Sequence, residues 1–100
     1  MSNNIAVYNE QTFESIKYIN EDGQEYWYAR KLQIVLEYKQ WRNFKETIEK
    51  AKISCEASGY AVFDHFADVS KMVEVGLGAK REVEDFMLSR YACYLIVTIK

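Results

Sequence analysis

The 100-residue sequence contains no proline and only four glycines, so few positions force the backbone to turn and long regular elements are permitted. It has no apolar run approaching the ~20 residues needed to span a bilayer. Its start, Met1-Ser-Asn-Asn-Ile-Ala6, lacks the basic region and apolar core of a signal peptide. A cytoplasmic protein with no membrane association is expected. The one histidine, His65, and the two cysteines, Cys55 and Cys93, lack the spacing of a zinc site or a redox motif. The cysteines read as buried thiols serving as small hydrophobes, and no metal or His-dependent relay is expected. Walker-type loop, dinucleotide fingerprint and nucleophile elbow are likewise missing, so the chain reads as a non-enzyme without a cofactor. The acids Glu82, Glu84 and Asp85 have the oxygen chemistry to hold Mg²⁺, as a nuclease does, but alternate acids on an exposed strand read first as a solvated edge.

What is present is a globular composition: 49% hydrophobic, 28% charged, and rich in aromatics, eight of them tyrosine. A chain of this length closes one core, and its aromatics supply much of the area such a core buries. The net charge of −2 is unevenly spread. Residues 29–52 hold Arg30, Lys31, Lys39, Arg42, Lys45, Lys50 and Lys52 against Glu37, Glu46 and Glu49, a local excess of four positive charges. Residues 1–28 carry one lysine against five acids. Any electrostatic footprint for a polyanion belongs to the central segment.

Residues 1–12 are polar and aperiodic and read as a flexible tail, leaving residues 13–100 as a single domain. Phe13–Ile19 and Glu25–Tyr28 are rich in β-formers and flank the turn sequence Asn20-Glu-Asp-Gly23, which predicts an amino-terminal β-hairpin. Ala29–Tyr38 and about Lys39–Ser58 show apolar residues at three- and four-residue steps, predicting two helices, the second closed by Gly59. Residues 62–88 suit either a helix or a second hairpin; the glycines Gly76 and Gly78 and the β-branched residues favour a short helical turn near Asp64–Asp68 and then a hairpin. Ser89 is placed to cap a last helix that is apolar nearly all round, and therefore buried. That helix runs to Ile99-Lys100 without a capping signal, which suggests a fragment of a longer protein or a partner covering it. The fold expected is α+β and winged-helix-like: a hairpin, two central helices in a helix-turn-helix-like pair, a second hairpin, and a buried carboxyl-terminal helix.

Leu88-Ser-Arg-Tyr-Ala-Cys-Tyr-Leu-Ile-Val97, preceded by Gly78-Ala-Lys-Arg-Glu-Val-Glu-Asp-Phe86 and Asp64-His-Phe66, resembles the DNA-damage-inducible protein D group. Trp27-Tyr-Ala-Arg-Lys-Leu32, Leu36-Glu-Tyr38 and Trp41-Arg-Asn-Phe44 fit the same pattern. The likeness extends more loosely to the amino-terminal (BRO-N) domain shared by baculovirus repeated-ORF proteins and phage antirepressors. It implies a bacterial, stress-associated (SOS) or mobile-element protein from a family credited with DNA binding. Glu37 departs from the glycine that such proteins often have at the end of the first helix.

The expected function is a DNA-associated regulatory module, with Arg30, Lys31, Lys39, Arg42, Lys45, Lys80 and Arg81 as DNA-binding residues. In a winged arrangement the first turns of the second helix approach the major groove and the hairpin tip meets phosphate. Gln40 and Asn43 could read base edges, although exposed polar side chains usually serve solvation. The bland reading of the basic set is a soluble face of weak i,i+4 pairs. The alternative function is a protein-interaction module acting on recombination, DNA-repair or repressor proteins, using Tyr26, Trp27, Tyr28, Trp41 and the last helix. A homodimer through that helix is a further expectation.

Overall fold

A computed structural model describes residues 12–99, so the expected tail lies almost wholly outside the described residues. The architecture is α+β, with strands β1 (Tyr18–Ile19) and β2 (Glu25–Tyr28), helices α1 (Ala29–Val35), α2 (Trp41–Ala57) and α3 (Val62–His65), strands β3 (Phe66–Gly76) and β4 (Ala79–Leu88), and helix α4 (Arg90–Ile99). The strands form one antiparallel sheet in the order β1-β2-β4-β3.

The amino-terminal hairpin is shorter than its composition suggests, because residues 12–15 are helical and only Tyr18–Ile19 pair with Glu25–Tyr26. The reason is tertiary. The Phe13 ring stacks on Trp27 with centroids 4.5 Å apart, and the Phe13 carbonyl accepts the Trp27 indole N–H at 2.9 Å. Thr12 and Ser15 close the turn through a hydroxyl-to-carbonyl bond of 2.7 Å. The hairpin loop is organised by the Asn20 side chain, whose Oδ1 accepts from the amides of Asp22 and Gln24, each at 2.9 Å.

Helices α1 and α2 end in the same way. Beyond α1, the Tyr38 amide returns to the Gln33 carbonyl and the Glu37 amide to that of Ile34; beyond α2, Tyr60 returns to Cys55 and Gly59 to Glu56. This six-to-one and five-to-two pairing needs a left-handed residue. Gly59 supplies it with φ 88°, and Glu37 takes it with φ 63° despite its Cβ. The departure at Glu37 therefore leaves the turn's geometry intact and adds local strain.

The central uncertainty resolves as a helical turn followed by a hairpin. The turn is α3, earlier than Asp64–Asp68, and β3 begins at once at Phe66. Leu77 and Gly78 both have positive φ between the strands, and the register slips by one residue between Glu74 and Gly76. The outer part of this hairpin, including its Leu77 tip, is exposed and stands out as a wing.

Cross-strand partners share a face, so the register assigns every strand residue to one side of the sheet. Trp27, Leu88 and Phe66 form one row, and all three are buried in the core with Ala29, Leu32, Phe44, Ile48, Ala51, Cys55, Phe86, Ala92, Cys93 and Ile96. The next row, Tyr28, Met87 and Ala67, faces the other way and is half-buried. Helix α4 is capped as expected, its Ala92 amide donating to Ser89 Oγ at 3.0 Å. It docks within this chain against α2 and shares the core with Phe44 and Ile48, yet it is not buried all round, since Tyr94 is 57% and Val97 48% exposed. Cys55 and Cys93 are buried free thiols, each pushed up in pKa by desolvation.

Candidate nucleic-acid interface

The seven cations singled out by the sequence fall into two groups. Lys39 and Arg42, flanking the start of α2, and Lys80 and Arg81, near the wing tip, are exposed and make no ion pair among the described residues. The other three are engaged in the fold. The Arg30 guanidinium lies 4.1 Å from the centroid of Trp41 and donates through Nε to the Glu84 carbonyl at 2.7 Å. Lys45 Nζ sits 2.7 Å from Glu84 Oε2, and Trp41 Nε1 points at the same oxygen from 3.5 Å. Lys31 donates to the Tyr18 hydroxyl and lies over its ring.

Glu84 therefore joins α1, α2 and the wing. Its hydrogen bond to Lys45 holds its carboxyl below the ordinary range and raises Lys45 in return. Asp85 corrects the reading of an exposed acidic strand. It is 1% exposed, and its Oδ1 accepts the amides of Arg30 at 3.0 Å and Phe86 at 2.8 Å. Tyr28 offers no side-chain cap to α1, and Asp85 caps that helix from across the fold, where a carboxylate also complements the helix dipole. Its Oδ2 makes no hydrogen bond and faces Lys71 Nζ at 3.4 Å, an ion pair without hydrogen-bond geometry. No group of three or more His, Cys, Asp or Glu among the described residues could hold a metal ion.

A second charged cluster staples the amino-terminal segment to α4. Arg90 grips Glu25 at 2.7 and 3.0 Å and Glu14 at 2.9 and 3.3 Å, while Lys17 lies 3.2 Å from Glu25 and 3.4 Å from Glu14. Hydrogen bonds from Arg90 and then Lys17 bring the Glu25 carboxyl down to about 2. His65 has a partner that sequence spacing did not reveal: its Nδ1 lies 2.7 Å from Ser89 Oγ. That hydroxyl is already the helix cap, and the His65 ring packs against Tyr91 and Tyr60.

Expectation also failed at Trp27, which is fully buried and has no part in an exposed aromatic surface. Tyr26 and Tyr28 do reach the open face of the sheet, where Tyr18 joins them and Lys71 lies 3.9 Å over the Tyr28 ring. Lys71 carried no signal in the sequence. Only the cross-strand register brings it to the tyrosines.

Residues 15–99 match the family described as BRO family, N-terminal domain. The chain belongs to that family. It is 48% identical over 87 residues to DNA damage-inducible protein D of Escherichia coli strain K12, a match that covers 87% of this chain and 32% of the relative. The chain thus spans about a third of the length of the curated relative it matches. No solved structure matches significantly. The run that carries the likeness, Ser89 to Val97, does structural work in this chain: Ser89 caps α4, Arg90 grips Glu14 and Glu25, Tyr91 packs on His65, and Ala92, Cys93 and Ile96 fill the core. Among the described residues, no helix is long and apolar enough to cross a membrane.

Proposed function

We propose that this chain is a DNA-damage-related regulatory module, non-enzymatic, that contacts nucleic acid through the start of α2 and the wing. Membership of the BRO family and the similarity to a protein named for inducibility by DNA damage support the regulatory role. The observation that carries the contact is the exposure of Lys39, Arg42, Lys80 and Arg81 without ion-pair partners among the described residues, whereas Lys45 is paired with the Glu84 carboxylate, Arg30 is held by the Glu84 carbonyl and Trp41, and Lys31 lies against Tyr18. Cations already paired with carboxylate gain less from phosphate, because the existing pair has to be broken first.

The test is fluorescence anisotropy of the full chain with duplex DNA at two salt concentrations. Affinity falls steeply with salt, and a variant with Lys39, Arg42, Lys80 and Arg81 all changed to alanine loses both affinity and most of the salt slope. Unchanged affinity in that variant would overturn the reading.

A second reading is favoured by Ile53, Tyr60, Phe63, Tyr94 and Val97, large apolar side chains exposed on the helical side. In it the module binds a recombination, repair or repressor protein, or a second copy of itself through α4. Such an interface responds little to salt, and Val97→Glu abolishes any dimer seen by light scattering while leaving duplex binding intact.

A further inference from the structure

We propose that the open face of the sheet is a separate surface for unpaired nucleic-acid bases, with Tyr18, Tyr26 and Tyr28 as the stacking platform. The helices contribute their buried residues to the core on the opposite face, and on this side the strand residues are joined by Lys31 of α1 and, in the groove beside Tyr26, by Asp64 of α3. The three tyrosine rings lie together, with centroids 5.5 Å apart for Tyr18 and Tyr26, 5.0 Å for Tyr18 and Tyr28, and 5.5 Å for Tyr26 and Tyr28. All three are half-buried, so each ring is anchored while part of it meets solvent. Rigid aromatic rings on a sheet are what splayed-out bases stack on, and every base has a π-face to offer.

Charge selects the partner. Lys31 and Lys71 sit over the rings of Tyr18 and Tyr28, at 4.8 and 3.9 Å from their centroids. The single acid among the β3 and β4 residues of this face is Asp85, which is buried, accepts two amides and pairs with Lys71. Strands β3 and β4 bring no exposed carboxylate to this side, but Glu25 and Asp64 line a groove with Tyr26, Ala67 and Met87, so it is the Tyr18 and Tyr28 end, under Lys31 and Lys71, that suits a polyanion carrying flat bases. When a base enters, the Lys31 ammonium leaves the Tyr18 ring face for a neighbouring phosphate, exchanging a cation–π contact for a charge-assisted hydrogen bond, while Lys71 stays paired with the buried Asp85. Cross-strand spacing of about 5 Å and a two-residue repeat of about 7 Å along a strand match the reach between neighbouring unstacked bases.

This inference shares the class of partner with the proposed function, but its stacking platform and the two lysines over it, Lys31 and Lys71, are none of the four cations used there, so either can fail alone. The experiment titrates the full chain with a labelled oligothymidylate of about twelve nucleotides and with an abasic oligomer of the same length and charge. Oligothymidylate binds more tightly than the abasic strand. Changing Tyr18, Tyr26 and Tyr28 together to leucine weakens it by about tenfold or more, and changing them to phenylalanine, which keeps the rings, restores most of the affinity. The variant lacking Lys39, Arg42, Lys80 and Arg81 keeps its preference for bases over the abasic strand. Equal binding of the two oligomers, or undiminished binding by a folded leucine variant, overturns the proposal. So does a dimer that buries this face and excludes oligonucleotide.

Discussion

Trp27 and Tyr28 are chain neighbours on one short strand, and they belong to two different surfaces. Trp27 faces the core, fully buried, its ring stacked on Phe13 and the one polar atom of its side chain bonded to a carbonyl. Tyr28 faces outward, half-buried beneath Lys71 and beside two other tyrosines, and its phenol is raised in pKa by burial and by Tyr26. The core face has every demand met from within the chain. The open face, the wing and the start of α2 hold groups whose demands are met weakly or not at all. In a small domain that difference separates what the fold needs from what it can offer a partner.

The largest expected contrast is between the two neighbours themselves. Trp27→Ala leaves a cavity under the sheet and an unbonded Phe13 carbonyl, and costs about 3–5 kcal/mol in a urea titration. Tyr28→Ala removes a half-buried ring and costs about 1 kcal/mol. Equal losses would break the distinction between the faces.

Asp85 is the point where the faces meet, and Asp85→Ala leaves the amides of Arg30 and Phe86 without an acceptor. A loss of about 1–3 kcal/mol is expected, with Asp85→Asn milder because one acceptor oxygen remains. If both substitutions are neutral, α1 does not depend on this cap.

The Arg90 staple makes the core side acid-sensitive. The Glu25 carboxyl, ordinarily near 4.5, lies at about 2 in the fold. A depressed carboxylate stabilises the fold above its unfolded value and loses that contribution as pH falls through the folded one. The urea midpoint should therefore drop between about pH 4.5 and 2, and Glu25→Gln should flatten the drop while starting lower at neutral pH. An unchanged acid profile would remove the staple from the account.

The smallest effect concerns the end of α1, the helix that carries Lys31 to the tyrosines. Replacing the left-handed Glu37 by glycine relieves Cβ strain and should gain about 0.5–1 kcal/mol after the entropy cost of glycine, without altering either face. A loss of stability would show that the Glu37 side chain has work of its own.

Local pattern carried most of the elements and little of the site. The stripe through Phe44, Ile48, Ala51 and Cys55 is buried throughout, Ser89 caps α4 and Gly59 ends α2, because periodicity, caps and left-handed glycines act within a few residues. Phe13 became helical through its contact with Trp27, and Asp85 became a helix cap through an amide 55 residues earlier in the chain, neither of which any local window contains. The cations show the same limit. Net charge located the basic segment, but only the fold separates Lys39 and Arg42 from Arg30 and Lys45, whose partner Glu84 lies on the wing. Tyr26 and Tyr28 were visible at a two-residue period, while Tyr18 and Lys71 joined them only through strand register.

The most direct measurement is an amide chemical-shift map of the isotopically labelled full chain, titrated separately with duplex DNA and with oligothymidylate. Duplex should shift Lys39, Arg42, Lys80 and Arg81 and their neighbours, and the unpaired strand should shift Tyr18, Tyr26, Tyr28 and Lys71, with Trp27 and Ile96 still in both. Shifts confined to Phe63, Tyr94 and Val97, or no shifts with either ligand at low salt, would contradict the division between a self-satisfied core face and a partner-facing one.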